Sequence, residues 1–316
     1  MKSSFVILFI LFFINSNLKS QISVGNEDFT VGGKIGKLND KDYEAFKKST
    51  TYFVIPPFDT EKKETYESLL KNIWSVTPIK VISSKEFENL KTDVDKSLIR
   101  FKGTKFTDEN GGQTFYYNFK VVMFYISKKG ELIEKEISTA EFNIKYEAYI
   151  DIVKKRFDMN ALTDYMNKNN YYHNYSLGYI KNYLTCIHDY LATNTPRQYK
   201  NKDMDLVELK KIKNDTLFIM DCIKDHPDFN LDETFAKTKF KYKIISMKEL
   251  NDKIMTSEKP FHYLNYERLG YLKTINIINS KSGKTIYNNF AYMGFKPKNL
   301  LFNEKDINEL NDVIGK

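Results

Sequence analysis

Cysteine is almost missing from this chain. Only Cys186 and Cys222 occur in 316 residues, which excludes the disulfide framework that staples small secreted folds. A single bridge is one alternative. Cys186 sits in a helical pattern and Cys222 just past a strand pattern, so the expectation adopted is two separately buried thiols. Histidine is scarce as well, at four residues, and beyond the DCIKDHPD stretch no second His or Cys pair stands at metal-ligand spacing. No G-x-S-x-G elbow or reactive-cysteine context is present. A strong charge of one sign is also lacking. The formal charge is +8, and removing Lys2 and Lys19 leaves +6, since residues 1–20 carry no acid. The lysines are interspersed with acids, as in EKKE and SSKEFENLK, which describes solvated helix faces and excludes a nucleic-acid stripe.

Long apolar runs are missing too. The one run of note, Phe5–Ile14, has ten residues, whereas a bilayer needs about 20. It follows a lysine and precedes the polar NSNLKS, the order of a secretory signal cleaved before Gln21. The alternative is a retained membrane anchor. No cysteine stands at the cleavage point to carry a lipid. The expectation is therefore a periplasmic or secreted protein with no transmembrane segment after cleavage.

What is abundant is aromatic: 22 tyrosines and 24 phenylalanines, a composition that favours sheets with one dry and one wet face. Asp40–Lys48 reads as a short helix that Asp40 can cap. Thr51-Tyr52-Phe53-Val54-Ile55 is a buried strand halted by Pro56 and Pro57. Tyr66, Leu69, Leu70, Ile73 and Trp74 then form one stripe of an amphipathic helix from about Glu61 to Trp74, and Ile79–Ser83 is a second strand. A strand, helix, strand succession of this length favours a parallel crossover. From Leu98 the chain turns to an antiparallel meander, with glycines at Gly111, Gly112 and Gly130, and with Phe115, Tyr117, Phe119, Val121 and Met123 on one face.

The same order then returns. Thr51–Ile55 matches Thr216–Met220, IKVISSKEF at 79–87 matches YKIISMKEL at 242–250, and the Ser-Lys-x-Gly of YISKKGELI at 125–133 returns in IINSKSGKTI at 277–286. Three anchors in one order point to an internal duplication. Between the copies lie two helical patterns, Tyr146, Ile150, Val153, Phe157 and Leu177, Ile180, Leu184, Ile187, Leu191, separated by a Tyr- and Asn-rich stretch. The fold class expected is α/β (mixed α+β). It comprises a signal peptide (1–20), an N-terminal extension (21–47), a first repeat (48–145), a helical connector (146–213) and a second repeat (214–316).

The TTYFVIPPF start, the SKKGELI hairpin and the T-L-F-I strand after a lysine-rich connector resemble uncharacterised secreted bacterial proteins of duplicated α/β units. More distantly, FVIPPF with KVISSKEF is similar to periplasmic domains of the curli-secretion and TolB N-terminal type. Those resemblances imply a fold and an envelope setting, and no reaction.

Candidate sites are few. SGKT at 282–285 mimics a phosphate-binding loop, yet the glycine such a loop needs is replaced by Ile278, so a hairpin turn is expected. DCIKDHPD (221–228) is the one stretch dense in possible ligands: Asp221, Cys222, Asp225 and His226 are the donors a metal-assisted hydrolase would use. Its ordinary alternative is turn chemistry. His188 and Asp189 diverge by about 100° on a helix, so they form no relay by themselves. YYHNY (171–175) is expected to pack its rings between the halves. The function expected is non-enzymatic binding or scaffolding without a cofactor. The ligand or envelope-protein partner would sit in a groove between the halves at Pro56, Pro57, Phe58, Asp59, Asp221, Asp225 and His226.

Overall fold

The structure, a computed structural model, describes residues 22–28, 34–107, 113–156, 158–198, 202–225, 228–269, 272–292 and 301–315. Strand β1 (Ile22–Val24) leads into a small ribbon, β2 (Asn26–Asp28) with β3 (Lys34–Gly36), and then into helix α1 (Asp40–Lys48). The cap of α1 is Asn39, whose Oδ1 accepts from Asp42 N at 2.9 Å, and not Asp40. Strand β4 (Thr50–Val54) follows. Pro57 opens a 3₁₀ turn to Lys62, because proline fixes φ there and has no N–H to lose, and α2 (Lys63–Ile73) continues it. Strand β5 (Ile79–Ile82), helix α3 (Ser84–Glu88) and strands β6 (Lys96–Thr107), β7 (Gln113–Ile126) and β8 (Leu132–Phe142) complete the unit.

In the sheet the order is β1-β8-β7-β6-β4-β5. Strand β4 is parallel to both β5 and β6, and the β6-β7-β8 meander is antiparallel. Phe115, Tyr117, Phe119, Val121 and Met123 lie on one buried face, as their period of two requires.

The second unit writes the same plan. After β9 (Lys202–Met204) and a helix (Leu206–Ile212) come β10 (Thr216–Met220) and a 3₁₀ turn, Asp221–Lys224. A short helix (Leu231–Phe235), β11 (Lys241–Ile245), a helix (Met247–Thr256), β12 (His262–Leu269), β13 (Leu272–Asn279), β14 (Thr285–Tyr292) and a terminal helix (Glu304–Gly315) follow. Its sheet runs β11-β10-β12-β13-β14-β9, again with β10 parallel to two neighbours and the rest antiparallel. The likeness extends to single bonds. Ser83 and Glu86 close a capping box after β5, and Ser246 and Glu249 close the same box after β11. Gly130 and Gly283 both carry a positive φ in the final hairpin, at 81° and 66°. The SGKT segment is thus a turn.

Three connector helices join the units: α4 (Tyr146–Lys154), α5 (Met159–Met166) and α6 (Leu177–Ala192). The four second-unit helices become α7 (Leu206–Ile212), α8 (Leu231–Phe235), α9 (Met247–Thr256) and α10 (Glu304–Gly315). On α6, Ile180, Leu184, Ile187 and Leu191 are buried as their spacing requires. On α4 the dry face is Ala148 and Ile152, while Val153 is 37% exposed; the helix ends before the left-handed Arg156 (φ 53°). Phe157 lies outside the described residues. Both sheets also take an edge strand from the flanking segments, β1 from 21–47 and β9 from 146–213. Three residues are too few to show a period, so neither strand was visible in the pattern.

Helix α6 is central to the packing. Its Tyr179, Ile180, Tyr183 and Ile187 share one core with Phe53 and Phe119 of the first sheet and with Met220, Tyr263 and Ile278 of the second. The opposite face of the second sheet packs Leu217, Leu264, Ile277 and Tyr287 against α7, α8 and α10. The outer face of the first sheet has only a small cluster, Leu98, Val122 and Phe124, partly covered by Phe87 and Leu90. Among the described residues no helix is long and apolar enough to cross a membrane.

Candidate functional site

The Pro56–Asp59 loop is built inward. Phe58 meets the ring of Tyr175 edge-on at 4.9 Å and that of Phe101 at 6.0 Å. Asp59 is 1% exposed, and its carboxylate is fully engaged. The Tyr66 hydroxyl donates to Oδ2 at 2.7 Å, the Tyr175 hydroxyl to the same oxygen at 3.0 Å, and Lys62 Nζ lies 2.6 Å from Oδ1. Burial, and then the Asp59 charge, hold the Tyr66 phenol far above its ordinary range. A buried carboxylate with both oxygens met by its own fold is a structural clamp.

The second loop reaches the same connector from the other side. Asp225 Oδ2 lies 3.5 Å from His173 Nε2, Cys222 turns inward at 9% exposure, and Asp221 is exposed. His226 and Pro227 lie outside the described residues. Burial pushes the Cys222 thiol well up, raises the Asp221 and Asp225 carboxyls, and lowers His173 to about 4. Asn174, between these contacts, accepts from Asn143 N at 2.7 Å and donates to the Glu141 carbonyl and to the Tyr183 hydroxyl. His173–Tyr175 is therefore a strap gripped by both loops, Asp59 at Tyr175 and Asp225 at His173. The rings of Tyr172 and Tyr175 pack on the first sheet, against Phe101 and Phe142, and not between the halves; His173 reaches the second unit's loop.

The space left beside this strap is small. A crevice of about 40 Å³ is lined by Asn143, Ile144, His173, Cys222, Asp225 and Arg268, among others. That is room for a water or two, far below the several hundred Å³ of a typical ligand pocket. Asn143 and Arg268 also line a neighbouring void of about 10 Å³ with Glu141 and Glu267. With the Asn143 amide turned to donate, its nitrogen is 2.5 Å from Glu267 Oε1, and its oxygen accepts from Asn265 Nδ2 at 3.2 Å. Burial raises the Glu267 carboxyl to about 7. No three His, Cys, Asp or Glu side chains gather to hold a metal ion among the described residues.

A much roomier cleft, about 980 Å³, opens elsewhere, between connector helix α6 and the second unit. Its floor is the second half of α6 (Thr185, Asp189, Tyr190); one wall is Arg197 with Asp203–Leu206 and Glu208, and the other is the β13–β14 hairpin from Asn279 to Ile286. Arg197 pairs with the first sheet's edge, where its N–H and carbonyl bond Val24 at 2.7 and 2.9 Å, whereas Asp203 and Met204 belong to β9 on the second. The cleft therefore lies along the second sheet's edge, and Arg197 ties its wall to the first sheet. Its lining mixes charge with apolar surface. Arg197 Nη2 pairs with Asp203 at 2.9 Å, Lys284 Nζ stands 3.8 Å from Asp189 and 5.7 Å above the Tyr190 ring, and Lys281 is exposed. Leu206 is 44% exposed on its lip, with Val207 beside it at 72%. Behind the wall, Glu208 accepts from Asn279 Nδ2 at 3.2 Å and lies 3.4 Å from the buried His262. The hydrogen bond from Lys211 lowers Glu208, and burial lowers His262.

Fold and site together define an α/β protein of two like units with a ligand-sized cleft between the connector helix α6 and the edge of the second sheet. Comparisons of this chain with protein-family models, with curated proteins and with solved structures found no match. The cleft residues escaped the pattern because they come from a helix, an edge strand and a hairpin. The one available signal was Leu206-Val207, an apolar pair at the exposed start of a helix.

Proposed function

We propose that the protein is exported and serves as a binding or scaffolding protein of the cell envelope, engaging its ligand or partner in the cleft between α6, the wall of Arg197 with Asp203–Leu206 and Glu208, and the β13–β14 hairpin. The observation that carries this reading is size. At about 980 Å³ the cleft is of ligand dimensions, whereas the crevice at the Asp221–Asp225 loop holds about 40 Å³. The lining suits a polar ligand or chain segment bearing both charged and apolar groups: carboxylates at Asp189, Asp203 and Asp205, amines at Lys281 and Lys284, and an apolar lip at Leu206. Export is supported by the Lys2, Phe5–Ile14, NSNLKS order of the N-terminus.

The test is a fragment and short-peptide screen by amide NMR on the full chain, repeated with Lys284→Glu. Hits that shift Asn279–Ile286 and Asp203–Glu208, and that weaken or reorder in the variant, support the reading. A screen whose hits all fall outside the cleft, or none at all, rejects it. N-terminal sequencing of protein recovered from a fractionated host tests export separately.

A further inference from the structure

Near the end of α6, His188 is engaged at both ring nitrogens. Its Nε2 lies 3.0 Å from Ser75 Oγ and its Nδ1 lies 3.4 Å from Asp189 Oδ1. The neighbouring side chains do touch, contrary to the expectation from helical divergence, because a carboxylate beside an imidazole can fold back along the helix surface. The third member arrives from 113 residues away, on the bend after α2. Trp74, held by its indole N–H on Thr77 Oγ1 at 2.9 Å, sets its ring edgewise to the imidazole at 6.1 Å and limits its rotation. Ser75 itself is exposed. The N–H groups of Ser75 and Val76 have no acceptor among the described residues, leaving two donors beside the hydroxyl.

The connectivity has chemical meaning. Hydroxyl to Nε2, and Nδ1 to carboxylate, is the order in which an imidazole can take a serine proton while an acid fixes its tautomer. Asp189 also lines the large cleft, where its other oxygen faces Lys284. The serine therefore stands one imidazole away from the cleft wall.

We propose that Ser75 is an acyl-accepting nucleophile, with His188 as its base and Asp189 as the positioning residue, acting on ester groups that reach the exposed Ser75 hydroxyl from solvent, outside the cleft. Ser75 Oγ forms a bond to the acyl carbon as its proton passes to His188 Nε2. The bond from that carbon to the alcohol oxygen breaks, and the departing oxygen takes the proton. Water then attacks the acyl-serine, giving a proton to His188, which returns it to Ser75 Oγ as the acid is released. This activity stands apart from ligand binding in the cleft, and neither depends on the other.

The test is labelling of the full chain with a fluorophosphonate, which bonds to an activated serine oxygen with loss of fluoride, followed by peptide mass mapping. One phosphonate on Ser75 is expected, absent in Ser75→Ala. The labelling rate should fall about 100-fold or more in His188→Gln. In Asp189→Asn the labelling rate should fall, and Asp189→Glu, which keeps the carboxylate, should restore it. Far-UV circular dichroism checks that each variant is folded. No label on Ser75 at millimolar probe, or an unchanged rate in folded His188→Gln, overturns the proposal; a rate unchanged in folded Asp189→Asn, or not restored in Asp189→Glu, overturns the role of Asp189.

Discussion

Replacing Glu267 by glutamine should stabilise the protein at pH 8 and leave it almost unchanged at pH 4.5. Burial raises this carboxyl from 4.5 to about 7, so the folded chain keeps a proton that the unfolded chain gives up. Stability therefore falls as pH rises from about 4.5 to 7 and stays lower beyond that. At roughly 1.4 kcal/mol per pH unit, the interval corresponds to an upper figure near 3 kcal/mol. Solvent reaches part of the side chain, so about 1–3 kcal/mol is expected. Glutamine removes the charge and keeps an amide to meet Asn143 and its neighbours. His173 works in the opposite sense. Held at about 4 by burial, it costs stability as pH falls from about 6.5 towards 4. In wild type the two effects oppose each other across pH 4.5–6.5; in Glu267→Gln the acid limb should stand alone. Urea denaturation from pH 4.5 to 8, followed by circular dichroism and by the single buried Trp74, measures both. An equal shift at pH 4.5 and 8, or a loss of stability at pH 8, would refute the reasoning.

Other consequences can be measured in the same way. Asp59→Ala strands two buried phenols and should cost about 3 kcal/mol, while Tyr175→Phe, which leaves Tyr66 on the carboxylate, should cost about 1 kcal/mol; similar losses for both would sink the clamp. Gly283→Ala should be far worse than Gly130→Ala. Both need a positive φ, but a Cβ at 283 would lie 1.9 Å from the Asn182 carbonyl oxygen, while at 130 nothing stands within 4 Å. We expect about 1 kcal/mol for the open site and several for the closed one, read by denaturant midpoint. Cys186 and Cys222 are both buried and not joined in a disulfide, so native protein should resist a thiol reagent and show two reactive thiols after unfolding in urea; a mass 2 Da below the reduced chain would contradict this.

The architecture was legible where side chains repeat at a period. The alternation from Phe115 to Met123, the stripe on α6 and the Ser-x-x-Glu boxes all encode local structure directly. The return of three anchors exposed two units of one plan. What escaped was set by contacts across the chain. The Tyr146 to Phe157 pattern was helical in spacing, but the helix breaks at Arg156 and buries Ala148 and Ile152. Parallel pairing of β6 with β4, and the edge strands β1 and β9, leave no periodic trace. Site residues fared alike. Asp59 stood out as an acid after two prolines, yet its role follows from Tyr175, 116 residues away. The Ser75–His188 contact and the Arg197–Ile286 cleft have no local signature at all.

The claim on which the functional account turns is that ligands enter the cleft at α6 and the β13–β14 hairpin, and not the crevice at the Asp221–Asp225 loop. The most direct measurement is a crystal structure of the full chain soaked with hits from the fragment and peptide screen. The account expects density between Lys284, Asp203 and Leu206, with the His173–Tyr175 strap unmoved. Density among His173, Cys222 and Asp225, with the cleft left to solvent, would contradict it.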